Sequence, residues 1–489
     1  MSSGKAKGID EIPTESLQAL NNTCLDTLTS LCNDMYKAAY IPEDLRTSVF
    51  IVLPKKPNAT ECSDHRTISL MCHTLKLLLT IILKRITTKM DKNVGREQAG
   101  FRRNSGTREG VFNIRILVEK YIEMSKNVYA CFIDYSKAFD TVKHAELIKS
   151  LQTTDIDEND IAVISNLYWQ QQTKIRLEND MSEALKISRG VRQGCVLSPA
   201  LFNLYTDIIF RNAEHLPGLK IGGETINNLR YADDTVLLAE SESDLQQIVD
   251  VIKEESEKFG LLMNVKKTKT MVFTKSEDIP QIKITINNKV VDQVKSFQYL
   301  GVMVTEDGRS EKELLRRIAL AKRKFSEMSP LLTNHDLSIK TKLRLTKCYI
   351  WSVLLYASET WSLTSTMETR LRSFEMWTYR RLSRTSWKEK KSNKEVLNQL
   401  KIKRTTLMST VQSKRAKYFG HIRRHQCIQK SIMEGKVDGK RGRGRRRTSW
   451  LSNVAATMKQ PINTCAYMAL DRQEWRKMTS HVVNDKELG

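Results

Sequence analysis

Two adjacent carboxylates, Asp233 and Asp234, stand between two apolar stretches, NNLRYA before them and TVLLA after. Apolar runs favour burial, whereas a pair of like charges cannot go inside without a partner. A hairpin over residues 226–239 reconciles the two, with its strands in the core and the Asp-Asp pair at a sheet edge. Another apolar run, NVYACFI at 127–133, reads as a buried strand and ends on Asp134. If these strands are neighbours, Asp134 and Asp233 converge although they are far apart in the chain. Converging carboxylates repel unless a cation sits between them. Oxygen-only ligands favour Mg²⁺, which takes one or two carboxylates plus substrate phosphates. Two such ions can activate an attacking hydroxyl and stabilise a leaving pyrophosphate. On its own, however, an Asp-Asp pair is more often a plain turn.

The chain has 489 residues, too many for one core, so two to four folding units are expected. Lys and Arg number 80 against 56 Asp and Glu, a net charge of +24. That surplus favours a polyanionic partner, because each cation set against a phosphate releases a condensed counterion. A membrane is the rival partner. The longest apolar stretch, Leu77–Leu83, is bounded by Lys76 and Lys84. It falls far short of the roughly 20 residues that a bilayer requires. The start, MSSGKAKGID, has no apolar core of a secretory signal. The nine cysteines are scattered with no CxxC pair, which suits free thiols in a reducing compartment, nucleus and cytoplasm. His421, His425 and Cys427 lie close together, but their spacing fits no common zinc finger or knuckle.

Helical periodicity follows the carboxylate hairpin. Leu245, Ile248, Val249, Ile252 and Phe259 mark one helix, stopped by Gly260, with Ser243 and Gln246 as an expected capping box. Ser310 and Glu313 suggest another box, ahead of the stripe Leu314, Ile318, Ala321, Phe325 and Met328. Further helices are expected over 337–358 and 366–384. Residues 436–447 hold seven Lys or Arg and one Asp. That run suits either a phosphate-binding or nuclear-import segment, or a solvated linker. Trp450 and Trp475 could stack on bases or anchor a small helical core.

Larger motifs succeed one another in a fixed order. FIDYSKAFD (132–140), RGVRQGCVLSPALFNLY (189–205), LRYADDTVLLA (229–239), GLLMNVKKTKTM (260–271) and FQYLGV (297–302) resemble the palm motifs of reverse transcriptases of non-LTR retrotransposons. LPKK (53–56), HRTISL (65–70) and QAGFRRNSGTREG (98–110) resemble the fingers motifs of that family. LLYASETW (354–361), YFGHIRR (418–424), GKRGRGRRRTSW (439–450) and DRQEWRKM (471–478) resemble its C-terminal parts. The likeness spans nearly the whole chain and is greatest to the RTE clade, its BovB-like branch.

The resemblance implies an α+β right-hand polymerase. Residues 1–45 would be an N-terminal extension, 46–305 fingers and palm, 306–385 a helical thumb, and 386–489 a basic nucleic-acid-binding region. It implies RNA-directed DNA polymerisation in target-primed reverse transcription, with an RNA template, a DNA primer or target, dNTPs and two Mg²⁺ ions. Asp134, Asp233 and Asp234 match the metal-binding triad. Phe139 matches the steric gate, where a ring occupies the space of a 2′-hydroxyl; a core residue is the other reading. Gln193 and Gly194 match the segment beside the incoming nucleotide. Arg66, and less distinctly Lys55 beside Lys56, match the triphosphate-holding residues, where a planar guanidinium suits phosphate oxygens. Lys267 matches a lysine that can give a proton to pyrophosphate. Phe297, Tyr299, Leu300 and Gly301 match the primer grip. His65, Met263 and Ala357 depart from the usual Tyr, Leu and Gly. The apurinic-type endonuclease of full elements is expected to be missing, so the chain reads as a truncated copy or fragment that depends on an endonuclease in trans. The rival reading is a non-catalytic nucleic-acid-binding remnant.

Overall fold

The computed structural model describes residues 2–169, 171–178 and 180–484. Strands β1 (Ser48–Pro54) and β2 (His65–Leu70) form an antiparallel hairpin that sets Leu53 opposite Arg66. Helix α1 (His73–Asn93) buries Leu75, Leu78, Leu79, Ile82 and Ile86, one face at helical spacing. Helix α2 (Thr107–Glu123) is buried nearly all round. Strand β3 (Val128–Ile133) ends immediately before Asp134, as its apolar run implies. Strand β4 (Gln172–Leu177) returns to lie parallel to β1, with Ser48 opposite Thr173. Helix α3 (Ser198–Arg211) leads to the expected hairpin of β5 (Asn228–Tyr231) and β6 (Asp234–Ala239). Helix α4 (Glu242–Lys258) and strand β7 (Lys269–Phe273) complete the palm.

The palm sheet has four strands in the order β7-β3-β6-β5, with each neighbouring pair antiparallel. Cys131, Ile133, Leu237 and Val272 face one core, shared with α1, α3 and α4. Ala130, Phe132, Val236, Leu238 and Met271 face a second core, shared with α2. Burial on both faces explains why β3 and β6 read as unbroken apolar runs rather than as alternating strands. A second hairpin, β8 (Ser296–Tyr299) and β9 (Val302–Thr305), turns through Leu300 and Gly301 at φ 47° and 74°. Positive φ at both turn positions matches the twist of a two-residue hairpin.

Both expected capping boxes differ in the structure. Ser241, not Ser243, caps α4 by accepting from the Asp244 N–H. Gln246 instead clasps the backbone of Thr285 through two hydrogen bonds of 2.8 and 3.0 Å. Ser310 precedes helix α5 (Glu311–Glu327) but makes no side-chain cap; its hydroxyl accepts from Arg115. Glu313 is fully buried, accepting from the Met303 N–H and paired with Arg316 and Arg317. A nearer serine takes the first cap, while distant partners claim Gln246, Ser310 and Glu313. The helix expected over 337–358 is broken by a π-turn at Thr346–Ile350, and the chain turns at Ala357 with φ 53°. A left-handed backbone there accounts for the family's glycine, which carries no Cβ penalty.

Leu314, Phe325, Trp361 and Phe374 of the helical region share one core with Val396, Leu400 and Val411. Helices α6 (Ser365–Leu382), α7 (Leu407–Arg424), α8 (Trp450–Met458) and α9 (Arg472–Asn484) follow α5. Trp450 and Trp475 are buried in the palm's second core, so they anchor rather than stack on bases. Trp450 meets Phe112 edge-on at 4.9 Å, and its indole N–H donates to the Glu359 carbonyl. Trp475 donates to the Ala416 carbonyl at 2.9 Å.

Glu119 of α2 ties these parts together. Its carboxylate accepts from the Ser362 hydroxyl at 2.6 Å and from the Trp450 N–H at 3.0 Å. Burial pushes its pKa up from 4.5 to about 7, against those hydrogen bonds. The folded state therefore holds a proton that the unfolded state releases. Stability from this group is present at low pH and is lost as pH rises through about 7. Denaturant titrations between pH 5 and 8 should show that decline in the parent and a flatter profile in Glu119→Gln.

Candidate active site

The register of the palm sheet brings the acidic residues together. Thr235 lies opposite Ile133, so Asp134 and Asp234, each the next residue outward, flank one another at the same end of the sheet. Asp233 sits in the turn, because Tyr231 pairs with Asp234 and leaves only Ala232 and Asp233 between the strands. Burial pushes the Asp233 pKa up, and the charge of Asp134 adds to it, while Arg66 opposes. Asp234 is pushed up to about 6, first by burial and then by the charges of Asp233 and Asp134. The Asp134 Oδ1 is buried without a hydrogen-bond partner, and the Lys267 ammonium stands 3.6 Å from it. Three oxygen-only ligands short of counter-charge fit a divalent cation. Among the described residues they are not already closed on one centre, and neither are His421, His425 and Cys427.

The turn itself is held from behind by a residue with no role assigned from the sequence. Gln98 is 1% exposed, and its Oε1 accepts from the N–H groups of both Ala232 and Gly100 at 2.8 Å. The backbone of Ala99 donates to Arg230, and Arg230 donates to Glu97, so this segment runs along β5 as an added edge. A Cβ on Gly100 would lie 2.4 Å from the Ala232 nitrogen, so glycine is what permits this approach. Arg230 is anchored in turn by Asp207 at 3.0 Å, both side chains being 2% exposed. Ala232 adopts φ 57°, which an L-residue keeps only when its surroundings enforce it. The one signal in the sequence was the QAGF motif itself, whose glutamine has no charge to attract notice.

The residues matched to nucleotide binding lie on three joined segments. Phe139, in the single helical turn Ala138–Thr141 after β3, stacks on buried Phe202 with centroids 4.2 Å apart, which fixes the ring. The Val191 N–H donates to the Phe139 carbonyl, and the Gln193 amide donates to Asp140 at 3.0 Å. The Gln193 carbonyl accepts from the Ser69 N–H at 2.7 Å, tying that loop to β2, the strand of Arg66. Gly194 has φ 115°, and a Cβ there would lie 2.8 Å from the Ser69 carbonyl oxygen. Lys55 lies just past β1 with its backbone N–H on the Asp64 carbonyl, while Lys56 pairs with Asp64.

In the β8–β9 hairpin, Phe297 stacks on Phe132 at 4.5 Å and Tyr299 is buried beside it. Burial pushes the Tyr299 phenol up, with the charge of Asp234 adding to it, so the hairpin stands close to the carboxylates. The Leu300 carbonyl accepts from Tyr356, and the Gly301 carbonyl accepts from Arg316 and Arg317. Phe297 and Tyr299 thus turn into the palm, and the Leu300–Gly301 turn forms the tip. Phe101, 53% exposed and at φ 54°, lies beside Tyr231.

Gln98→Met keeps the bulk but leaves two buried N–H groups unpaired, each costing about 1–3 kcal/mol. The turn should loosen, and primer extension should fall by roughly tenfold or more. Retention of full extension by a folded Gln98→Met protein would show that the turn holds without this brace.

The sequence matches the family described as reverse transcriptase (RNA-dependent DNA polymerase) over residues 53–304, just over half of the chain. It is 26% identical over 399 residues to the RNA-directed DNA polymerase from mobile element jockey of Drosophila funebris, covering 78% of this chain and 42% of that protein. It is 26% identical over 312 residues to a Pol polyprotein from retrotransposable element R2 of Nasonia vitripennis, covering 62% and 30%. The chain thus spans less than half the length of these relatives. Among solved structures, apo telomerase from Candida tropicalis, truncated of its C-terminal domain, aligns at a TM-score of 0.41 and 13% identity over 58% of each chain. The family match spans every palm strand described above, and the chain belongs to the reverse transcriptase family.

Proposed function

We propose that this chain is the RNA-directed DNA polymerase of a non-LTR retrotransposon, extending a primer 3′-hydroxyl on an RNA template in target-primed reverse transcription. The observation that carries this reading is the register that sets Asp134 beside Asp234, with Asp233 in the intervening turn. Asp134, Asp233 and Asp234 would hold two Mg²⁺ ions. When bound, such ions lower the cost of ionising an attacking hydroxyl and stabilise the leaving pyrophosphate. The chain's own groups position the reactants. Arg66, with Lys55 behind it, holds triphosphate oxygens; Gln193 and Gly194 back the nucleotide; Phe139 fills the space of a ribose 2′-hydroxyl. Lys267 leaves Asp134 for the departing pyrophosphate and gives it a proton. Phe297, Tyr299, Leu300 and Gly301 steady the primer end.

In this reading residues 46–305 are fingers and palm and 306–385 the thumb, to which the segment up to Val411 adds apolar side chains. Residues 1–45 extend the fingers, and 386–489 are the basic C-terminal region. The motif likeness supports an element of the RTE clade, BovB-like branch. The priming hydroxyl comes from a nick in the DNA target. Among the described residues no helix is long and apolar enough to cross a membrane. All nine cysteines are free, which suits work in nucleus and cytoplasm.

Primer extension on an RNA template with dNTPs and Mg²⁺ tests the reading. Asp134→Asn or Asp233→Asn should lower extension roughly a thousandfold or more, at least about 4 kcal/mol of barrier, with RNA binding kept. Normal extension by either protein would sink the assignment of these carboxylates, and no extension by the parent would favour a nucleic-acid-binding remnant. Phe139→Val should lower the dNTP-to-rNTP ratio of kcat/KM by about tenfold or more. The ratio is the right readout, because losing the stack on Phe202 also lowers stability, which affects both substrates equally. An unchanged ratio would make Phe139 a core residue only.

A further inference from the structure

The basic run 436–447 is not a loose tail in this fold. The Gly222 N–H donates to the Lys436 carbonyl at 2.9 Å, and the Lys120 ammonium donates to the carbonyls of Met433 and Gly435. Val437 is buried. Arg441 and Arg446 both approach Glu123 of α2, at 3.8 and 3.9 Å, and Arg447 donates to the Asp307 carbonyl. Beyond the run, the Trp450 N–H is held on Glu119. The segment is a strap fixed at both ends and in the middle.

Its position is the telling feature. Gly442 passes so close to Ser125 that a Cβ would lie 2.7 Å from the hydroxyl and 3.7 Å from the Lys275 ammonium. Ser125 precedes β3, and Lys275 follows β7, whose Phe273 lies opposite Val128. These residues mark the end of the palm sheet away from Asp134. Six strand residues at about 3.3 Å each put roughly 20 Å between the strap and the carboxylates. Lys440, Arg443 and Arg445 are exposed and, among the described residues, meet no carboxylate. Arg309 lies within electrostatic reach of Arg447. Beside the strap an open cleft of about 550 Å³ is lined by Ser125, Asn127, Lys275, Ser276 and Asp278.

We propose that this strap is a second polynucleotide-binding surface, separate from the catalytic cleft, which grips the phosphate backbone of nucleic acid beyond the part being copied. Several features favour a phosphate chain over an acidic protein. The arginines are spread along an extended segment with glycines at 439, 442 and 444, they carry planar donors suited to phosphate oxygens, and no apolar side chain is exposed among them. Guanidinium groups held in place lose less freedom on binding than a disordered tail would.

The test uses Lys440→Gln/Arg443→Gln/Arg445→Gln, which removes three solvent-facing charges and no buried group. Binding without nucleotides is measured to a 60-nucleotide unstructured RNA and to a 30-base-pair DNA duplex, across salt. Extension is measured on a primer–template short enough to fill only the cleft. The slope of log K against log salt for the RNA should drop by about 2, from about 0.7 per phosphate over three contacts. Affinity should fall by about tenfold or more at 0.15 M salt, while short-duplex extension and the melting temperature stay unchanged. A loss confined to the duplex would also support the surface and identify its ligand as DNA. An unchanged slope with both nucleic acids would overturn the proposal. A parallel fall in short-duplex extension would also overturn it, by showing that the strap belongs to the cleft. Because binding is read without turnover, inactivity of the parent enzyme would count against the polymerase reading and leave this one to its own outcome.

Discussion

Mutual repulsion among three carboxylates at one end of a sheet is the constraint on which the rest of the palm depends. Burial raises the proton affinity of Asp233 and Asp234, and the neighbouring carboxylate charges add to it. Left alone, such a site would relieve itself by splaying the hairpin or taking up protons. The structure resists the first outcome by pairing. β6 is held between β3 and β5, and β5 is held by the 97–100 segment. It moderates the second with cations that touch the site without entering it, Lys267 beside Asp134 and Arg66 within reach of Asp233.

Much of this was legible in the sequence because the relevant signals are local and strong. β3, β5 and β6 lie where the apolar runs place them, and the stripe from Leu314 to Phe325 faces a core. Signals that need a distant partner were misread. Ser310 and Glu313 have the spacing of a capping box, yet Glu313 is the buried centre of an Arg pair that holds the hairpin tip. Ser243 has a competitor two residues earlier, and Gln246 a strand to hold. Gln98 was invisible for a related reason. Its importance lies in joining two N–H groups, that of Gly100 two residues on and that of Ala232 far along the chain, and the distant one is not written in its own neighbourhood.

The C-terminal segment shows how far composition can mislead. Polar, basic and rich in glycine near 440, it suggests an appendage. Yet Trp450, Tyr418, Phe419 and Trp475 complete the core on the second face of the palm sheet. Removing such side chains typically costs about 3–5 kcal/mol each. Truncation of this region would therefore strip a face from the palm, and a loss of nucleic-acid binding in a truncated chain would say little about contacts. Charge substitutions on the exposed strap keep the two effects apart.

The choice of brace behind the carboxylates carries a further argument. A lysine or arginine in place of Gln98 could donate to the turn's carbonyl, but it could not accept from two N–H groups, since neither side chain has an acceptor. It would also set a permanent positive charge behind ligands that need their negative charge to bind a cation. A neutral amide fixes the backbone and leaves the field of the carboxylates intact. Lys267 differs in kind. Its side chain is 68% exposed on a flexible stem, and its contact with Asp134 is 3.6 Å, longer than a hydrogen bond. An exposed pair of that sort is worth about 0–1 kcal/mol, little enough for a divalent ion to displace. The palm thus separates two tasks: a buried neutral group holds shape, and an exposed charged group stands beside the carboxylates through a contact weak enough to give way.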